Sequence, residues 1–158
     1  MASILTQFSF SFLAAAAYAI ITNVPRRSLI ACGISGASGW MFYWFAIQLG
    51  ANAALGSLLG ALSVAAVSFV CSRKLKLPVT IFNIPGMVPL VPGGLAYQAV
   101  RNLVIGNYET AIASMVQAIM IAGAIALGLV LSEVLNHNIR NFREKRDVVS
   151  LIRKKEEN

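Results

Sequence analysis

Leu77 to Val100 reads LPVTIFNIPGMVPLVPGGLAYQAV, and four of the chain's five prolines fall within it: Pro78, Pro85, Pro89 and Pro92. The run is apolar and long enough to cross a bilayer, which takes about 20 residues as a helix. A continuous helix through it is excluded, because each internal proline removes a hydrogen bond and clashes with the preceding turn. Pro92 is followed by Gly93 and Gly94. Backbone interrupted at membrane depth exposes N–H and C=O groups, which survive only against protein or a watery cavity.

Outward from this run the chain is equally apolar. Of its 158 residues, 58% are hydrophobic and 12% charged, against roughly a quarter charged in a soluble domain. Too few charges remain to build a water-exposed surface. The expected architecture is therefore all-α and integral to the membrane: a five-helix bundle with a Pro/Gly-broken fourth segment. The predicted spans are about 3–24, 28–49, 52–72, 77–100 (broken) and 110–135. These make a transmembrane domain over 1–135, followed by a charged cytoplasmic tail over 136–158 that reads as a solvated or membrane-surface helix. The first span is read as an uncleaved anchor, since a signal peptide carries a positive n-region and the first cation here is Arg26. In the second span Gly33, Gly36 and Gly39 allow close helix approach, as do Gly56 and Gly60 in the third. Trp44 and Phe45 are either interfacial anchors or bulky lipid-facing or packing residues. Cys32 and Cys71 have no metal-like spacing and read as small hydrophobes.

The net charge of +7 is clustered. Arg26 and Arg27, then Arg73, Lys74 and Lys76, then seven cations of the tail fall at successive span ends. Lys and Arg collect on the cytoplasmic side. Five crossings with the N-terminus outside and the C-terminus cytoplasmic place all but Arg101 inside; a re-entrant fourth segment strands the tail outside. A nucleic-acid surface would need a soluble basic face with aromatics interleaved, and the sequence has none. No Ser/His/Asp set, metal cluster, P-loop or GxGxxG occurs, so neither an enzyme nor a cofactor is expected.

The candidate substrate site is the broken run itself: Asn83, Pro85, Gly86, Pro89, Pro92, Gly93, Gly94, Tyr97 and Arg101. Proline is pre-organised for a first helical turn, and glycine lets a ligand approach free amides. Transporters aim such half-helix N-termini at anionic groups. Tyr97 and Arg101 are four apart and share a face. Arg101 either pairs with a substrate carboxylate, or snorkels to the outer interface, or pairs with Glu109. Gln117 faces the bundle or bonds a neighbour. Glu133 and His137 form a possible proton relay or mark an interface.

The stretch IPGMVPLVPGGLAYQAV, with Gly106 and Tyr108 after it, resembles the signature of the threonine/serine exporter family, and in particular the small membrane subunit of its split form. The resemblance implies a bacterial inner-membrane secondary exporter of threonine and serine, or of succinate. It also implies a larger partner subunit of the same family with its own spans and a soluble region. Two other readings stand beside it: a non-transporting membrane scaffold or assembly protein, and a homo-oligomeric channel.

Overall fold

The computed structural model describes the backbone of residues 2–156 and the side chains of residues 4–134. Six helices form: α1 (Ala2–Ile21), α2 (Leu29–Gln48), α3 (Ala53–Leu75), α4 (Thr80–Met87), α5 (Gly93–Ile105) and α6 (Tyr108–Glu156). No strand occurs among the described residues. Among the described residues, four stretches are long and apolar enough to cross a membrane as single helices: Ile4–Ile21, Arg26–Gln48, Ala53–Leu75 and Tyr108–Val134. The run expected to hold the fourth of five spans is instead two short helices. Its first piece, Thr80–Leu90, closes with a 3-10 turn over Val88–Leu90. The last helix does not stop where its apolar run ends, because the Glu-, Lys- and Arg-rich sequence beyond it consists of good helix formers.

Helix ends follow local chemistry. Asn52 caps α3, its side chain accepting the Leu55 N–H at 2.8 Å. Lys76 adopts left-handed geometry to end the same helix. Gly106, at φ 88°, ends α5 and turns the chain into α6 with Asn107 alone between them.

α2 is the central helix, and its glycines decide who touches it. A Cβ on Gly33 would run into the Phe12 ring and one on Gly36 into Ala15, so α1 lies against that side. A Cβ on Gly39 would strike Val64 and would sit 3.2 Å from the Gly60 carbonyl, so α3 lies against the other. Gly60 answers in kind: its Cβ would sit 2.9 Å from the Gly39 carbonyl and 2.9 Å from Leu90. The small-residue stripes thus pack helices within one chain. Ser35 Oγ and Ser68 Oγ join α2 to α3 at 2.9 Å, and the Trp40 indole donates to Gln7 Oε1 of α1 at 2.7 Å.

One end of the bundle is basic. There Ala19, Cys32 and Phe82 form a small core flanked by Val24, Leu29, Cys71 and Leu75, beside the exposed Arg26, Arg27, Arg73, Lys74 and Lys76. The opposite end carries the uncharged α2–α3 turn at Gly50. Between them lies the larger core of Ala61, Val64, Met87, Leu90, Ile121 and Ile125.

Gly60→Val should part α2 from α3, because the obstacle is partly backbone. Overpacking of this kind costs about 1–3 kcal/mol. Unfolding of the purified protein in detergent should show that loss, while Gly50→Ala, next to open space, should be limited to the strain of its positive φ.

Candidate functional site

α4 is a wedge. It starts at the basic end, where Phe82 is fully buried in the core with Cys32. It reaches the middle of the bundle at Leu90, beside Gly39 and Gly60. Pro85, Gly86 and Met87 are all buried. A Cβ on Gly86 would come within 2.6 Å of Ser35 Oγ and 2.7 Å of Val64, so glycine is required for α4 to seat between α2 and α3. Pro89 packs by Gly36.

Pro85 lies inside the helix and brings no N–H to the Ile81 carbonyl four residues back. Cys32 supplies the missing donor: its Sγ lies 3.4 Å from Ile81 O. The thiol reading as a plain hydrophobe therefore needs amending, because it also answers a proline. Nothing in the spacing of Cys32 could have shown this; only the presence of a proline forecasts that some donor is needed. Asn83 shows the opposite condition. Its Oδ1 is buried with no hydrogen-bond partner, an acceptor that costs about 1–3 kcal/mol when left unmade.

Val91 and Pro92 separate the wedge from α5. The Gly93 N–H is taken by Val91 O at 2.8 Å, and Ala96 N–H by Pro92 O at 3.0 Å. No side chain caps the helix start. The first turn of a helix leaves its amides without internal acceptors, so those of Gly94 and Leu95 stay open. Gly93 and Gly94 are exposed, and a Cβ on either would meet nothing within 4 Å. Tyr97 is 69% exposed, Arg101 is exposed too, and no ion pair joins Arg101 to Glu109 among the described residues.

The candidate residues thus fall into two groups. Pro85, Gly86 and, partly, Asn83 and Pro89 belong to the packed wedge. Gly93, Gly94, Tyr97 and Arg101 stand together on the open side of α5, with Pro92 at its head. Glu133 is exposed on α6, and His137 lies outside the residues whose side chains are described. No group of three or more His, Cys, Asp or Glu able to hold a metal occurs among the described residues.

Four helices long and apolar enough to cross a membrane, packed around an interrupted segment, define a polytopic membrane protein. The family model described as Threonine/Serine exporter, ThrE, matches residues 7–135, and the chain belongs to that family. No solved structure matches the chain. Membership makes it a membrane transport protein of the threonine/serine exporter kind.

Cys32→Ala should destabilise the purified protein by about 1 kcal/mol, the net worth of one hydrogen bond. Cys32→Ser, which keeps a donor, should recover most of it in the same thermal unfolding measurement.

Proposed function

We propose that the chain is a membrane subunit of a secondary exporter of small carboxylated metabolites, threonine and serine or succinate, acting with a larger partner subunit of the same family. The observation that carries this reading is the uncapped start of α5, with open amides at Gly94 and Leu95 and space around Gly93 and Gly94. A substrate carboxylate accepts from those amides, favoured by the positive end of the helix, while Arg101, about two turns further along α5, offers a bidentate partner to a carboxylate on its way to that site. Tyr97 shares that face.

The topology proposed with it is five crossings in a bacterial cytoplasmic membrane, N-terminus outside and C-terminus cytoplasmic. Thr80–Leu90 and the 13 residues of α5 add up to about 36 Å at 1.5 Å per residue, enough for a hydrocarbon core of about 30 Å. The basic end then faces the cytoplasm. Export is driven by the proton-motive force, with Glu133 and His137 as candidate relay groups. The face of α5 that bears Tyr97 and Arg101 is bare in this chain, which supports a second subunit completing the pathway.

Co-expression of this chain with its partner should give efflux of threonine, serine or succinate from loaded cells. Equal efflux after deletion of this chain would overturn the proposal. Gly94→Leu and Arg101→Gln should each lower efflux by roughly tenfold, about the loss of one charge-assisted hydrogen bond. Abundance in the membrane should hold, because neither site is packed. A fall in abundance with unchanged turnover per complex would favour a purely structural role.

A further inference from the structure

The hairpin formed by α5 and the first half of α6 carries polar side chains that the proposed site does not use. Gly106 and Asn107 alone join the two helices, so they run antiparallel. Ala99 of α5 and Ala111 and Ser114 of α6 are buried where they meet.

Helical periodicity sorts the other residues of this hairpin. Thr110 and Gly128 are separated by about five full turns at 3.6 residues per turn, and so point the same way; Gln117 lies within about 20° of both. Gly128 abuts α3, since a Cβ there would meet Ala61 at 2.8 Å and the Leu58 carbonyl at 3.1 Å. Thr110 and Gln117 therefore sit on the α3 side of α6, yet both are exposed. The reason is that α3 has already ended. Ala53, at its start, packs on the core cluster that holds Ile121 and Ile125, and the part of α6 before Ile121 extends past it.

α5 presents the same pattern. Leu95 packs on that same cluster. Gln98 lies one turn further along this side, Asn102 two turns, and Arg101 borders it. Gln98 and Arg101 are exposed and Asn102 is half-buried, its Nδ2 donating to the Gln98 carbonyl at 2.9 Å. The reverse side of the hairpin is apolar and exposed: Val100, Leu103, Ile112, Met115 and Ile119.

Three carboxamides, a hydroxyl and a guanidinium fall on one side of the hairpin, with the exposed Ile105 among them, and such groups are costly against lipid. The arrangement is that of a wall with lipid on one side and water on the other. We propose that Gln98, Arg101, Asn102, Thr110 and Gln117 line a water-filled vestibule over the α2–α3 turn, open at the neutral end of the bundle and leading to the start of α5. The solutes it suits are small and polar: Arg101 draws a carboxylate in, the exposed Glu109 beside Thr110 offsets part of that pull, and neutral amides let solutes pass without tight capture. Which solutes pass rests on the exporter reading; the presence of water does not.

The test uses cysteine labelling in intact cells and in opened membranes of the natural host, so that the probe reaches the neutral end whichever way it faces, with the full chain in its own assembly. Gln98→Cys, Thr110→Cys and Gln117→Cys probe the polar side. Val100→Cys, Met115→Cys and Ile119→Cys probe the apolar side. All are made in the chain carrying Cys32→Ser and Cys71→Ser. The probe is a charged, membrane-impermeant methanethiosulfonate, and the unreacted fraction is read by a later gel shift. The polar-side thiols should react on the order of tenfold faster or more, since only a hydrated thiol ionises readily. Uniformly slow labelling on both sides, as under lipid or a covering partner helix, would overturn the vestibule, as would faster labelling on the apolar side. A position whose variant is missing from the membrane is replaced by Ala113→Cys on the polar side or Ile112→Cys on the apolar side. Labelling needs no transport. A chain that exports nothing still shows the pattern, and an exporter with both sides silent keeps its activity and loses only the vestibule.

Discussion

Backbone interrupted at membrane depth has to be completed by protein or by a watery cavity, and α4 buries Phe82, Pro85, Gly86 and Met87 among its neighbours, so the carbonyl it loses to a proline is answered by protein. The Cys32 thiol on the Ile81 carbonyl is that answer at Pro85. It works only because α2 and α4 approach closely, and they do so because Gly86 carries no side chain where Ser35 and Val64 stand. Gly39 and Gly60 do the same for α2 and α3. Hydrogen bonding and glycine packing are thus one constraint: the wedge can be irregular because the helices around it are tight. The cost is that little in this region can change size.

Past Leu90 the regime reverses. α5 has α6 for its main support and leaves its first amides, its glycines and two large polar side chains in the open. A packed half and an open half meet at Val91 and Pro92. The first fixes where the interruption lies, and the second leaves its dipole end accessible. A transporter needs both, since a binding group must be held in place and yet be reachable.

Much of this was legible in the sequence. Helices predicted over 28–49 and 52–72 are found at Leu29–Gln48 and Ala53–Leu75, because Gly50, the Asn52 cap and the basic clusters punctuate the apolar runs clearly. The prolines marked the place of interruption. They did not show that α4 would run on through Pro85, because the rescuing donor comes from a residue 49 positions earlier. Nor could they show that Pro85 and Gly86 would be buried while Gly93 and Gly94 stayed open; that division depends on which helices surround each half. The apolar run shows where the last span ends, while the helix itself continues to Glu156, because hydropathy reports where lipid stops and helix propensity continues beyond it. Gln98 and Asn102 escaped notice because their meaning lies in the direction they share with residues of another helix.

The glycines of the segment therefore answer to different pressures. At position 86 volume alone is enough to exclude every other residue, since even alanine has nowhere to put its methyl group. At positions 93 and 94 volume excludes nothing, and a helix start gains from a residue stiffer than glycine. If glycine persists at 93 and 94 as related chains diverge, packing cannot be what preserves it. Something that must come close to the bare backbone would be the agent of selection, and the drift of these two positions against position 86 becomes a natural record of whether anything does.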